Sequence, residues 1–226
     1  MIEAEIKNKV PKLESWEDIL TSNVFGLLEL INYKYLLEIV SKAQNYQGNQ
    51  VTYNFSSRSI KHIKLWEKFK NIGEPDVLVT LDDDTFFIIE VKYFSREHNK
   101  RRDIVEEDDD SNNYDDEGQL KKYLDIKIDD KQSTFIIYLT ADYQSLNHIQ
   151  NSDSTSKECM HNIYHIHWDD FNENLLKKDI PDGVEKKVID KIIEYLNFKG
   201  FTYWEGFHYK PEYNLLNTNI GGFYAR

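Results

Sequence analysis

Gly73-Glu74-Pro75-Asp76-Val77-Leu78-Val79-Thr80-Leu81-Asp82-Asp83-Asp84-Thr85-Phe86-Phe87-Ile88-Ile89-Glu90-Val91-Lys92 is the stretch that decides the fold. β-Branched and apolar residues fill 76–81 and again 85–92, so both read as strands. The three aspartates between them make a polar turn. The two strands therefore form a hairpin, and their near-continuous apolar runs predict burial on both faces. Glu90 and Lys92 are two apart and project from one face. A turn centred on Asp83 sets Asp76 across from Glu90. Two carboxylates and an ammonium then converge on a sheet otherwise built of Val, Leu, Phe and Ile.

Such a cluster is costly to bury unless it is paired or binds metal. Two carboxylates with water suit Mg²⁺, with Mn²⁺ as a substitute. A lysine beside them can orient a water or stabilise charge developing on a phosphate. This equipment fits phosphodiester hydrolysis. The simpler alternative is a surface hairpin with solvated charges. Ile88, Ile89 and Val91 around Glu90 argue against it, because they belong in a core.

Outward from the hairpin, apolar residues at 16, 19, 20, 25, 27, 28, 31, 35, 36 and 39 predict one helix over 15–43. Residues 60–69 are ambiguous and lean towards strand. Residues 118–126 read as a helix, 133–140 as a buried strand and 163–168 as a short strand. Residues 184–198 read as a helix stopped by Gly200. No repeat is present. The expected class is α/β (α+β): a central mixed sheet flanked by helices, in one domain. Its core covers about 15–140, and 141–226 is a variable extension with an aromatic C-terminal end.

In this order the pieces resemble the PD-(D/E)XK nuclease superfamily, the restriction-endonuclease-like fold. Pro75-Asp76 opens one strand, Glu90-x-Lys92 ends the next, and Gln119 with Tyr123 four residues on follows in a helix. The resemblance covers about 16–140. It implies Asp76 and Glu90 as Mg²⁺ ligands and Lys92 as the residue positioning the attacking water. It implies Gln119 near that water or the substrate, and Tyr123 beside the substrate. It also implies an acidic residue on the first helix, for which Glu17, Asp18 and Glu29 are candidates. Arg96, Lys100, Arg101 and Arg102 follow the lysine strand and are candidates for binding substrate phosphates. The acidic residues at 106–110 and 115–117 are either a solvated loop, the simpler reading, or a lid over the same groove.

Weaker signals stand beside this. Cys159, His161, His165 and His167 are ligand types that zinc uses, and a strand over 163–168 puts His165 and His167 on one face. The spacing matches no closed four-ligand pattern, and ordinary strand histidines are the simpler reading. The aromatic residues from Phe201 onward read first as packing and second as base stacking. Asp169 and Asp170 read as a cap for 171–176.

Composition limits the classes. The 226 residues carry 28 Lys and Arg against 40 Asp and Glu, a net charge of −12. That argues against an indiscriminate nucleic-acid coat protein. One cysteine excludes an intrachain disulfide framework and fits a reducing compartment. Residues 1–7 lack the apolar core of a leader, and no run is long enough for a membrane span, so a cytoplasmic location is expected. The leading expectation is a Mg²⁺-dependent DNA endonuclease, with RNA left open. The resemblance puts it in bacterial defence, and cutting both strands makes a homodimer an expectation. The alternatives are a catalytically silent binding or assembly subunit on the same fold, and a hydrolase of nucleotides or small phosphoesters.

Overall fold

Alternation in the hairpin has a three-dimensional consequence: every residue of both strands is buried. In the computed structural model, which describes residues 16–93, 119–143, 145, 149 and 162–202, they become β2 (Val77–Leu81) and β3 (Phe86–Lys92). Val77 pairs with Ile89 and Leu78 with Ile88. This is the register that a turn centred on Asp83 demands.

The hairpin lies inside a five-stranded mixed sheet of order β1-β2-β3-β6-β7. β1 (Ile60–Leu65) is antiparallel to β2. β6 (Ile136–Thr140) and β7 (Ile163–His167) run parallel to β3. Gln44 bridges His165 through two main-chain hydrogen bonds, so a loop covers the outer edge of β7.

Helices cover both faces. Residues of odd parity in β2 and β3 (Val77, Val79, Phe87, Ile89, Val91) pack with α1 (Trp16–Glu29), α2 (Leu36–Val40), α4 (Trp168–Leu176) and α5 (Val184–Phe198). Residues of even parity (Leu78, Phe86, Ile88) pack with Leu120, Tyr123 and Leu124 of α3 (Gln119–Leu124). Each fully buried Ile, Leu or Phe contributes about 1.5–3 kcal/mol. The chain is thus mixed α/β, with a mixed central sheet between helical layers. Among the described residues no helix is long and apolar enough to cross a membrane.

Two elements differ from the sequence reading. The single helix over 15–43 is two helices, α1 and α2. Asn32 and Tyr33 take φ of 51° and 53°. The Tyr33 N–H bonds Leu28 O at 2.8 Å and the Asn32 N–H bonds Glu29 O at 3.0 Å. This is the Schellman closure of a helix, with Asn in the left-handed position it tolerates. The helix over 118–126 is shorter, and a small hairpin follows it: β4 (Lys127–Ile128) and β5 (Lys131–Gln132). Asp129 and Asp130 between them both have positive φ, as a two-residue hairpin loop requires. At the other end Gly200, with φ +91°, closes α5 as expected.

Candidate functional site

Asp76, Glu90 and Lys92 meet where β2 begins and β3 ends. All three have even parity and lie on the face that α3 covers. They are 9 %, 1 % and 6 % exposed, so the sheet carries three ionisable groups out of bulk water. Asp76 Oδ2 accepts the Val91 N–H at 2.8 Å. Lys92 Nζ donates to Glu90 Oε1 at 2.7 Å. It also donates to Glu17 Oε1 at 3.2 Å, and Glu17 Oε2 accepts the Tyr93 N–H at 3.1 Å. Glu17, in the first turn of α1, thereby ties that helix to the end of β3.

Glu90 Oε2 is buried and accepts no hydrogen bond; a protonated Glu90 donates to Asp76, which pulls the Asp76 carboxyl down. Burial, with the Asp76 charge adding to it, pushes the Glu90 carboxyl up to about 8. Burial also raises Asp76, against the pull of Lys92 and the Val91 N–H. Burial opposes the Lys92 charge, but Glu90 first and then Glu17 and Asp76 outweigh it and hold the ammonium above its ordinary range. At neutral pH the cluster therefore keeps its lysine charged and holds a proton on Glu90.

The other candidates divide. Glu17 joins the cluster. Glu29 does not: it is exposed and lies twelve residues further along α1, roughly 18 Å away at 1.5 Å per residue. Asp18 is exposed. Gln119 is the first residue of α3. Tyr123 is a core residue, 1 % exposed, with its ring against Gly73. Gly73 has φ +142°, and a Cβ there would meet Tyr123 Cε1 at 3.1 Å. The close approach of ring and glycine shapes the turn that delivers Asp76. Arg96, Lys100, Arg101, Arg102, Cys159, His161, the acidic run and the aromatic residues from 203 onward lie outside the described residues. Phe201 is buried against Trp168 and Tyr93, so this first tail aromatic packs. Asp169 and Asp170 are not the cap that the sequence suggested: α4 begins at Trp168 with His167 at its N-cap, and both aspartates stand in the first turn.

The strand register adds Tyr138 and Thr140, which sequence reasoning did not identify, and sets beside them His165 and His167, which it had placed on one face. Glu90 pairs with Tyr138 and Lys92 with Thr140. Tyr138 in turn pairs with His165, and Thr140 with His167. The carboxyl ends of three parallel strands thus present one polar row, where ligands of open α/β sheets bind. Only long-range pairing creates this row, so no local signal announces it.

Among the described residues no group of three or more His, Cys, Asp or Glu side chains is arranged to hold a metal ion. The two neighbouring carboxyl groups, with a Glu90 oxygen that accepts no hydrogen bond, still fit Mg²⁺, which binds through one or two carboxylates and keeps several waters. Comparison of the chain with protein-family models, with curated proteins and with solved structures gives no match in any of the three.

Proposed function

We propose that the chain is a Mg²⁺-dependent phosphodiester hydrolase with a PD-(D/E)XK, restriction-endonuclease-like core, acting on DNA. One observation carries this reading: Asp76, Glu90 and Lys92 are buried together at the open end of the hairpin, two carboxyl groups beside one ammonium. Burying two carboxyl groups that repel each other's charge is destabilising, and such costs concentrate at functional sites. Asp76 and Glu90 would hold Mg²⁺, which supplies charge neutralisation at the phosphate and a more acidic water. Lys92 would orient the attacking water and, through its ammonium, stabilise charge on the phosphate oxygens. Glu17 fixes the lysine. With Glu90 protonated in the free protein, binding of the metal there would release a proton.

A catalytically silent binding subunit is the second reading. The Lys92 ammonium already contacts both Glu17 and Glu90, which favours a purely structural cluster.

The test is incubation with supercoiled plasmid, linear duplex, single-stranded DNA and RNA, with Mg²⁺ or Mn²⁺ at low salt. Lys92→Ala and the nearly isosteric Glu90→Gln are the controls. Cleavage by the parent alone supports the hydrolase. Cleavage that persists in both variants removes it, and binding without cleavage by the parent favours the silent subunit.

A further inference from the structure

The β7 histidines carry a separate feature. His165 and His167 are i and i+2 on one strand and share a face. His165 Nδ1 is buried with no partner, and so is His167 Nε2. The main chain of Asp142 accepts a hydrogen bond from the His167 ring, and Asp170 Oδ2 lies 3.9 Å from Nδ1. With Nε2 unpartnered, the donor to Asp142 is Nδ1. This is how a metal-binding imidazole is held: one nitrogen donates to a carbonyl or faces a carboxylate, and the other is left as a bare lone pair.

The separation of the ring centroids is the one a shared ion requires. An in-plane metal ~2.1 Å from each coordinating nitrogen lies ~3.2 Å from each ring centroid, and a tetrahedral angle then separates the centroids by ~5.2 Å. The two centroids are 5.3 Å apart, with the rings inclined by 59°. His165, though not His167, also lines a cavity of about 280 Å³ with Gln44, Asp170 and Glu173.

We propose that His165 Nδ1 and His167 Nε2 together bind one late first-row divalent cation, Zn²⁺ or a congener such as Co²⁺. Imidazole nitrogen selects such ions over Mg²⁺, which prefers oxygen. Among the described residues no third protein donor completes the set. The remaining positions go to water or an anionic ligand, as in an open site and not a closed structural one. The site is distinct from the carboxylate cluster: Glu90 and His165 flank Tyr138 on either side, which sets their Cα atoms ~9.6 Å apart. It stands independently of the hydrolase reading.

The experiment uses the full chain after chelator treatment and dialysis. Co²⁺ is titrated with detection of its visible absorption, and Zn²⁺ by calorimetry. One equivalent is expected to bind with the intense absorption of tetrahedral Co²⁺, and His165→Ala and His167→Ala are each expected to bind about tenfold more weakly or worse. Histidine-ring ¹⁵N spectra of the unaltered protein remove any dependence on how the variants fold. Zn²⁺ is expected to shift His165 Nδ1 and His167 Nε2, and Mg²⁺ to leave both unmoved. No uptake of Zn²⁺ or Co²⁺, unmoved ring nitrogens, or folded variants that bind as tightly as the parent each overturn the proposal.

Discussion

The ammonium of Lys92 rests 2.7 Å from Oε1 of Glu90, two residues back along the same strand. The pair is buried, and the lysine also reaches Glu17. Removing one member of such a pair leaves the other charge without compensation, at a cost of about 3–5 kcal/mol. Lys92→Met keeps the volume and deletes the charge. Chemical denaturation is expected to show that loss at pH 9, where Glu90 must ionise. At pH 6 Glu90 can stay protonated, and the loss is expected to be smaller. A loss that does not change with pH would mean that the lysine acts through Glu17 or packing and not through Glu90.

The raised Glu90 carboxyl makes stability depend on pH in a defined direction. Its folded value, about 8, lies above its ordinary one. The stability contributed by the protonated form is complete below the ordinary carboxylate range and is lost as pH rises through about 8. The difference in unfolding free energy between the parent and Glu90→Gln isolates this group. The parent is expected to lose stability relative to the variant from about pH 5 to pH 8 and then level off. A flat difference across that window would sink the assignment.

The same carboxyl links metal binding to protons. In the proposed reading Mg²⁺ needs Glu90 ionised, so at pH 7 binding expels most of one proton. Calorimetry in two buffers of different ionisation enthalpy measures that number directly. A value near one at pH 7, falling towards zero at pH 9, is expected. Mg²⁺ binding without proton release would mean that the ion binds away from Glu90.

The legible part of the molecule is the part whose pattern is local. The three aspartates at 82–84 left one register for the hairpin, and Val77 does pair with Ile89. The meeting of Asp76, Glu90 and Lys92 followed from that register alone. The break after α1 was harder to see, because apolar spacing continues through Ile31, Tyr35 and Leu36. The stop is set by the left-handed backbone at Asn32 and Tyr33, with neither Gly nor Pro to mark it. The Asp129-Asp130 loop was missed for a similar reason: a two-residue turn between two-residue strands has almost no periodicity. The choice of Glu17 over Glu29 needed the packing of α1 on β3, and the row from Glu90 to His165 needed parallel pairing across two strands. Neither relation is written in any window of sequence.

Gly73 tests how the turn before Asp76 is built. Its φ of +142° is unfavourable for a residue with a Cβ, and that Cβ would meet the Tyr123 ring at 3.1 Å. Tyr123 is buried and has little room to move. Gly73→Ala therefore combines backbone strain with a clash, about 1–3 kcal/mol together. Tyr123→Leu removes the ring and leaves the strain. The double variant is expected to recover part of the alanine penalty, as a shared contact requires. Strict additivity would show that the ring and the glycine do not meet in solution.

Asn172 gives the sharpest test of the helical layer. It is fully buried in α4, and its Nδ2 donates to Asn197 Oδ1 at 2.8 Å and to Phe201 O at 2.6 Å. It thereby fastens the chain beyond α5 to the helix before it. Asn172→Ala leaves the Phe201 carbonyl without this donor and opens a small void, at about 1–3 kcal/mol. Asn172→Asp is nearly the same shape but replaces the donor with a carboxylate oxygen facing acceptors. Ionised, it meets repulsion and desolvation together, so at pH 7 it is expected to be less stable than the alanine variant. On acidification the carboxyl takes a proton and regains one donor, and the order of the two variants is expected to narrow or reverse by pH 4. Thermal unfolding of both proteins at the two pH values decides it. An aspartate variant that stays as stable as the parent at pH 7 would mean that the α4–α5 junction admits water, and that Phe201 does not depend on Asn172 for its place.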